Sequence, residues 1–456
     1  MSETSQTTLR MPDCDHRPLA YEGPSKEEVL ALRREFLTPA LLTFYRDPVM
    51  IVEGHMQWLF DEKGQRYLDA FAGIVSVSVG HCHPKVLDAV REQNDRLQHT
   101  TTIYLHPTIA RFGKKLASTF PEGSGLGVCY FTNSGSESND LAILMARAYT
   151  GNYDVVALRN GYHGGSPHAM GLTGQSTWKY SVPSGFGVHH ATVPDRYHGH
   201  FGYDDPQAGV KYAADVKDLI QRGTSGQIAA FIAEPIQGVG GAVVLPPGYL
   251  EEVYRTVREA GGLCIADEVQ TGFCRTGVGF WGFESHGVVP DIVTMAKGIG
   301  NGAPLGACVT RADVAATLTS RIHFNTFGGN PVSCAQGLAT LDILLEEGFQ
   351  ERARTLGDRL RTGLEELAGR HSAIGDVRGQ GLMVGVEIVQ DRQSKEPDSA
   401  RTVEIFERAK EHGVLIGKGG YWGNVLRIKP PMCLSEQDID FLLEVLDRAF
   451  TETDSG

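Results

Sequence analysis

The sequence predicts an α/β fold in which a mostly parallel central sheet is followed by a smaller α+β domain. Between residues 101 and 310, short apolar segments alternate with amphipathic helical patterns, which is typical of a parallel sheet covered by helices. The 55 glycines suit many tight turns between such elements. After residue 331 the pattern changes to long helices around a strand. A chain of 456 residues is long enough for two or three domains.

This pattern divides the chain into an N-terminal arm, helix and small hairpin (1–70), a large domain (71–330) and a small C-terminal domain (331–456). Polar residues and prolines at 1–25 predict a loose arm, and Lys26–Phe36 has the spacing of a short amphipathic helix.

A hairpin is predicted next, with arms at 52–60 and 66–68 joined by a turn at 61–64. Residues 73–79 have the pattern of a plain β-strand. Residues 174–212 show no period, so they predict a long irregular loop, which is uncommon unless it is functional or docked on a partner.

Apolar runs predict the strands of the central sheet, and the C-terminal part has its own pattern. The central strands are predicted at residues 127–131, 154–158, 228–233, 263–267, 292–295 and 306–309. Apolar spacing predicts a helix at 250–260. Helical patterns at 342–371 and 402–412 flank a strand at 382–389, and a last helix begins at Ser435 with Asp438 as its capping partner.

Composition excludes several classes of partner. The net charge is -13 and no basic run is present, which argues against nucleic acid or an anionic membrane. No apolar run reaches the length of a membrane span. Residues 1–10 lack a hydrophobic core and carry an acid and one arginine, so neither a secretory signal nor a mitochondrial address is expected, and the predicted compartment is the cytoplasm.

The cysteines do not form a metal-binding pattern. The eight cysteines are scattered without a Cys-x-x-Cys pair and are expected to be core residues in a reducing compartment. His81-Cys82-His83 raises a metal hypothesis. However, adjacent side chains point apart and no further ligand cluster accompanies them, so no metal site is predicted.

Two charged residues end apolar strands of the predicted sheet. Asp267 closes one strand and Lys297 follows the next, and carboxyl ends of parallel strands commonly form ligand sites. A lysine in apolar surroundings is costly to keep charged, so its free amine becomes available to form a Schiff base with an aldehyde. A helix-capping aspartate and a surface lysine are the alternatives.

A third motif completes a recognisable set. Ser134, Gly135 and Ser136 come after an apolar strand and open a helical pattern, where backbone amides and the helix dipole favour a phosphate. An ordinary Gly-Ser turn is the alternative. Pyridoxal 5'-phosphate requires a lysine, an acid at its ring nitrogen and a phosphate cradle, so we predict that it binds at Lys297, Asp267 and this turn.

Longer motifs resemble those of the class III (ω-amino acid type) pyridoxal-phosphate aminotransferases, which have fold type I. The motifs are Gly80-His81-Cys82-His83-Pro84, Ser134-Gly135-Ser136-Glu137, Glu234-Pro235-Ile236-Gln237-Gly238, the Asp267 and Lys297 segments, and Asn325-Thr326-Phe327-Gly328-Gly329-Asn330-Pro331. The resemblance runs from about Met11 to the C-terminus. Within the family the chain is similar to the alanine–glyoxylate aminotransferase 2 group, which is also linked to β-aminoisobutyrate–pyruvate transamination.

The resemblance implies roles for further cofactor-binding residues. Tyr162 would cover one face of the ring, with His163 in the same turn, and core packing is the alternative for both. Val269 would cover the other face, and its strand position agrees because alternate residues share a face with Asp267. Gln270 would reach the ring hydroxyl, and Glu234 belongs to a motif of the same site.

Substrate and subunit contacts are also implied by the resemblance. Thr326 would bind the phosphate of the neighbouring subunit's cofactor, so a homodimer or homotetramer with shared active sites is expected. Arg427 lies in an apolar stretch, where burying a guanidinium is costly without an anion. The resemblance makes that anion the substrate carboxylate, with a structural salt bridge as the alternative. Ile74 is expected near the substrate.

Two sequence differences from related enzymes narrow the range of expected substrates. Aminotransferases for 4-aminobutyrate and ornithine usually carry an Arg where this chain has Gly165. They also carry a Glu that masks the carboxylate-binding arginine where this chain has Val239. Arg427 should therefore be available to bind the carboxylate of small acids such as alanine, pyruvate or glyoxylate.

The leading hypothesis is a ping-pong aminotransferase that moves an amino group from alanine or a small β- or ω-amino acid, such as 3-aminoisobutyrate, to glyoxylate or pyruvate. The alternatives are a phospho-lyase acting on amino-alcohol phosphates, a 4-aminobutyrate or ornithine type aminotransferase, and a non-catalytic binding module on the same fold.

Overall fold

A computed structural model of the protein describes residues 9–183 and 185–454. Its helices are α1 Lys26–Phe36, α2 Ala72–Val75, α3 Pro84–Arg96, α4 Pro107–Ala117, α5 Gly135–Thr150, α6 Pro167–Leu172, α7 Ala208–Gly223, α8 Tyr249–Glu259, α9 Ala312–Ala315, α10 Pro331–Glu346, α11 Phe349–Arg370, α12 Ser399–Glu411 and α13 Glu436–Asp454. Its strands are β1 Ile51–His55, β2 Trp58–Asp61, β3 Arg66–Asp69, β4 Val128–Thr132, β5 Val155–Leu158, β6 Val188–Ala191, β7 Ala230–Ala233, β8 Ile236–Gln237, β9 Val243–Val244, β10 Leu263–Asp267, β11 Ile292–Met295, β12 Gly306–Thr310, β13 Ile374–Gln380, β14 Met383–Ile388, β15 Val414–Leu415, β16 Gly417–Gly419 and β17 Val425–Ile428.

The core of the molecule is a seven-stranded sheet in the order β4-β12-β11-β10-β7-β5-β6. β12 is antiparallel to both of its neighbours, and the other strands run in one direction. This confirms the predicted mostly parallel sheet. β10 and β11 have the predicted bounds, because each is a short, fully buried and mostly apolar run.

Two segments between the predicted strands differ from expectation. Residues 174–212 do not form one irregular loop, since they contain β6 and the start of α7. Residues 73–79 are not a strand. The Asp69 carboxylate accepts hydrogen bonds from the backbone amides of Phe71 and Ala72 at 2.9 and 2.8 Å, which turns the chain into the short helix α2.

The N-terminal region is tied to the C-terminal part of the chain. The helix α1 confirms its prediction, and the hairpin is a three-stranded unit, β1-β2-β3, extended by β15. The predicted loose arm is wrong for residues 9–19. Arg66 donates to the Pro12 carbonyl at 2.6 Å, and His16 and Glu53 form a 2.5 Å hydrogen bond. Residues 1–8, part of the segment on which the predicted compartment depends, lie outside the described residues.

A second sheet, β13-β14-β17-β16, organises the C-terminal part. The helical pattern predicted at 342–371 is interrupted at Gly348, whose φ of 69° is left-handed, so it spans the end of α10 and all of α11. α10 packs on α3 and α4. Ser435 and Asp438 form the expected reciprocal cap of α13. The division at residues 70 and 330 stays a prediction.

Within residues 9–183 and 185–454, no helix is both long and apolar enough to cross a bilayer. The same residues hold no group of three or more His, Cys, Asp or Glu side chains placed to share a metal ion. His81, from the motif considered as a metal ligand, instead pairs with Asp69 at 2.7 Å.

Candidate active site

The candidate site lies at the carboxyl edge of the seven-stranded sheet. β4, β5, β7, β10 and β11 end at this edge, so the segments that follow them converge there. A cavity of about 410 Å³ opens at this point. Its lining includes these residues named from the sequence: Ser134, Gly135, Ser136, Tyr162, His163, Glu234, Asp267, Val269, Gln270 and Lys297.

Lys297 follows β11 and lines the cavity. Its φ of 50° is left-handed, a conformation that non-glycine residues hold mainly where the surrounding structure enforces it, often at functional sites. Burial lowers the pKa of Lys297 to about 8, against the opposing charges of Asp267 and Glu234. Nζ has no hydrogen-bond partner within the described part of the chain, so the amine is available for reaction.

Asp267 is held rigidly at the end of β10. Its Oδ2 accepts hydrogen bonds from His163 Nδ1 at 2.7 Å and from Asn139 Nδ2 at 2.9 Å, and its Oδ1 accepts one from the Val269 amide at 3.1 Å. Thr294 on β11 donates to the Asn139 oxygen at 2.6 Å. These three donors fix the orientation of the Asp267 carboxylate in the lining of the cavity.

The buried His163 supports Asp267 from behind. Burial acts to lower the pKa of His163, but the hydrogen bond and charge of Asp267 outweigh it and raise that pKa overall. Sequence reasoning missed Asn139 and Thr294. In the sequence, Asn139 is distinguished only as a polar residue on an apolar helix face, and Thr294 only as a threonine within an apolar strand.

The phosphate cradle is the N-terminus of α5. Ser134 is the N-cap, and its Oγ accepts from the Glu137 amide at 3.2 Å. Gly135 and Ser136 are the first helical residues, so their amides have no partner within the helix and face an anion site. A Cβ on Gly135 would lie 3.0 Å from Val269 Cγ2, which is closer than ordinary van der Waals contact, so glycine fits this wall without displacing Val269.

Tyr162 and Val269 line the cavity, and Glu234 fixes the turn that carries the tyrosine. The Glu234 carboxylate accepts from the Tyr162 amide at 3.0 Å and from the Gly238 amide at 2.8 Å. The Tyr162 ring also packs edge-on against Trp178, with centroids 5.0 Å apart. Trp178 belongs to the segment predicted as a loop and had no assigned role.

Arg427 lies on β17 beside this cavity, with 6% of its surface exposed. Nε donates to the Lys418 carbonyl at 3.2 Å and Nη1 donates to the Gly238 carbonyl at 3.3 Å. No described carboxylate lies within ion-pair distance, so the structural salt bridge considered from the sequence is wrong. Burial lowers the pKa of Arg427 to about 10, although Glu234 opposes this shift.

Thr326 and Ile74 are not brought into the cavity of a single chain. Thr326 is exposed, and Ile74 is 45% exposed in the left-handed turn of α2. The roles predicted for these two residues stay predictions.

Comparison with known proteins identifies the family. A family model described as aminotransferase class-III matches residues 45–450. The chain belongs to the class-III aminotransferases. It is 55% identical over 452 residues to alanine–glyoxylate aminotransferase 2 homolog 2, mitochondrial, of Arabidopsis thaliana, covering 99% of this chain and 93% of the relative. It is 44% identical over 477 residues to alanine–glyoxylate aminotransferase 2, mitochondrial, of Homo sapiens, covering 99% and 92%.

Solved structures agree with the aminotransferase fold. An (S)-enantioselective ω-transaminase from Thermomicrobium roseum matches with a TM-score of 0.87 at 34% identity, covering 95% of this chain and 100% of that one. A phospholyase from Arthrobacter in complex with phosphoethanolamine matches with a TM-score of 0.86 at 37% identity, covering 93% and 99%. The aminotransferase therefore has fold type I, and its cofactor is pyridoxal 5'-phosphate.

The residues of this aminotransferase fit the cofactor. Lys297 would hold its aldehyde carbon, Asp267 its ring nitrogen and the N-terminus of α5 its phosphate. When bound, pyridoxal phosphate supplies an electron sink for the bonds at the substrate's α-carbon. The protein contributes a fixed negative charge at Asp267, walls at Tyr162 and Val269 that exclude water, and an amine at Lys297 that can move a proton.

Proposed function

We propose that this aminotransferase transfers the amino group of alanine, or of a small β- or ω-amino acid such as 3-aminoisobutyrate, to glyoxylate or pyruvate by a ping-pong mechanism. The observation that carries the proposal is Arg427, a buried guanidinium without a carboxylate partner among the described residues, which donates to the carbonyl of Gly238, the residue before the apolar Val239. A buried cation of this kind is stabilised by an anion, and a small substrate carboxylate supplies one.

The environment of Arg427 favours small substrates. Val239 is buried, and its carbonyl accepts from the Gly420 amide at 3.1 Å, so the segment before Arg427 packs directly against it. A Cβ on Gly419 would lie 2.7 Å from Arg427 Nε, which shows how closely backbone surrounds the guanidinium. The names of the Arabidopsis and human relatives support alanine and glyoxylate as substrates.

A half-reaction tests the proposal on purified, cofactor-loaded protein. L-alanine, 3-aminoisobutyrate, 4-aminobutyrate, ornithine and phosphoethanolamine are added separately while the cofactor's absorbance near the visible edge is recorded. We expect alanine or 3-aminoisobutyrate to convert the band and glyoxylate or pyruvate to restore it. Release of phosphate from phosphoethanolamine, with the band restored unaided, would establish the phospho-lyase and overturn the proposal.

We infer that two subunits share their active sites. Thr326 is exposed and lies in a segment rich in exposed apolar side chains, including Ile322 and Phe327, and the side chains of Tyr104 and Leu105 are exposed as well. Burial of this surface against a second copy would bring Thr326 to the neighbouring phosphate cradle. Light scattering should show a dimer or tetramer, and Thr326→Ala should weaken cofactor binding. A monomer that binds the cofactor with unchanged affinity would contradict this proposal.

The cytoplasmic location stays a prediction. The Arabidopsis and human relatives are named as mitochondrial proteins. Imaging of a C-terminal fluorescent fusion tests the location, and a signal that is enclosed in an organelle would overturn it.

A further inference from the structure

Lys429 is a buried lysine whose surroundings are unusual. It follows β17, its exposed surface is 0%, and its Nζ donates to two oxygens: the Gly238 carbonyl at 3.0 Å and Gln270 Oε1 at 3.0 Å. Within residues 9–183 and 185–454, no carboxylate pairs with it. Lysine is rarely buried completely unless it is paired, and burial lowers the pKa of Lys429 well below its usual value. An ion pair therefore does not explain its position.

The contact with Gln270 fixes the orientation of a side chain that lines the cofactor cavity. A carboxamide has an acceptor oxygen on one side and a donor nitrogen on the other. Because Lys429 donates to Oε1, the Nε2 group of Gln270 is directed away from Lys429. The amide also packs against Gly238, where an added Cβ would lie 2.4 Å from the Gln270 amide atoms. Gly238 and Lys429 therefore hold this amide from two sides.

We propose that Lys429 is a positioning residue, which turns the Gln270 carboxamide so that its N–H groups face the cofactor cavity and meet the ring oxygen of the cofactor. This inference rests on the cofactor site described above and extends it to a residue that lies outside the cavity lining. Lys429 acts only through Gln270, and it does not touch substrate or cofactor.

The orientation has a spectroscopic consequence. With the cofactor bound, an N–H of Gln270 that reached the ring oxygen would stabilise negative charge on that oxygen, and so would lower the pH midpoint at which the cofactor's absorbance band changes. A rotated Gln270 amide would present its oxygen to the cavity instead of its N–H groups, and the pH midpoint of the cofactor's absorbance band would then be higher. A donor that is fixed in advance also costs no reorganisation when the cofactor binds.

The test uses Lys429→Met in the cofactor-loaded enzyme. Methionine has a similar length and no donor, and the Gly238 carbonyl keeps its hydrogen bond from Arg427. We expect the pH midpoint of the absorbance band to rise by about 0.5 to 1 unit. We also expect the dissociation constant of the cofactor to rise about three- to tenfold. An unchanged midpoint in a folded variant with a normal band would overturn the proposal.

Two further variants distinguish an effect of the Gln270 orientation from a direct effect of charge at position 429. Lys429→Gln keeps an N–H donor but no positive charge, so it should restore the midpoint if orientation is the cause. In a Gln270→Leu background, Lys429→Met should cause no further shift. Equal shifts in Lys429→Met and Lys429→Gln, or shifts that add in the double variant, would mean a direct effect of charge and would contradict the inference.

A matched control tests whether a general loss of stability could by itself shift the pH midpoint. Arg275 is a buried arginine, which donates to the carbonyls of Leu382 and Pro430 at 3.3 and 2.5 Å but does not touch Gln270. Arg275→Met should lower stability and leave the midpoint in place, whereas a matching shift would overturn the role of Lys429. Failure of the wild-type protein to form any cofactor band, or a band that survives Lys297→Ala, would instead contradict the cofactor site.

Discussion

Two buried arginines occupy equivalent places in the second sheet and have opposite surroundings. Arg378 on β13 and Arg427 on β17 both stand opposite Gly385 of the central strand β14. They are 7% and 6% exposed. Position, burial and secondary structure are therefore matched, and only their partners differ.

Arg378 forms ion pairs with two carboxylates. Its Nη1 lies 2.6 Å from Glu387 and 2.9 Å from Asp376, and Glu387 also bonds to His198 at 2.5 Å. Burial acts to lower the pKa of Arg378, but these acids outweigh it and raise that pKa. Within the described part of the chain, the partners of Arg427 are backbone carbonyls and the ring of Phe71, 5.3 Å away. The comparison teaches that one arginine is paired within the fold and the other is left for a ligand.

The largest expected effect is on stability, when the paired Arg378 is removed. Arg378→Met removes the guanidinium shared by the buried Glu387 and the half-buried Asp376, and it leaves Glu387 with only its hydrogen bonds to His198 and Asn424 among the described residues, which should lower the free energy of unfolding by about 3 to 5 kcal/mol. Urea denaturation measures it, with Arg427→Met as the matched control. The control should lose much less stability, because it removes no partner from a carboxylate. Equal losses in the two variants would contradict the distinction between them.

The paired cluster should also make the enzyme sensitive to acid. Burial acts to raise the pKa of Glu387, but the hydrogen bond from His198 and the charge of Arg378 outweigh it and lower that pKa from 4.5 to about 2. Its contribution is therefore present above about pH 4.5 and is lost as the pH falls toward 2, by up to about 3 kcal/mol. Glu387→Gln should flatten stability across this range. An unchanged slope of stability against pH in that variant would refute the assignment.

The unpaired arginine should matter for catalysis rather than for folding. Arg427→Lys keeps a charge but loses the planar fork that binds a carboxylate through two hydrogen bonds. We expect kcat/KM for alanine to fall about 100-fold, mainly through KM. A primary amine without a carboxylate serves as the control substrate and should be affected little. Equal losses for both substrates would show that Arg427 does not bind the carboxylate.

The contrast also shows where sequence reasoning stops. The fold and the Asp267 and Lys297 positions were predictable, because an apolar run that ends in a charged residue marks a strand end. β6 was missed because His189 and His190 interrupt its apolar pattern at the edge of the sheet. Arg378 and Arg427 look alike in sequence, each inside a short strand. Their difference comes from side chains distant in the chain, and local spacing carries no information about such contacts.

The smallest expected effect comes from giving Arg427 the partner that it lacks. Val239 is buried, and its backbone pairs with Gly420 beside the Gly419–Arg427 contact. Val239→Glu would place a carboxylate near the guanidinium and make Arg427 resemble Arg378. Since a single ion pair is worth about 1 kcal/mol, KM for alanine should rise about fivefold. Val239→Gln, of equal size without charge, is the control. If both variants raise KM equally, bulk rather than charge is responsible, and the absence of an acid at this position does not explain a preference for small substrates.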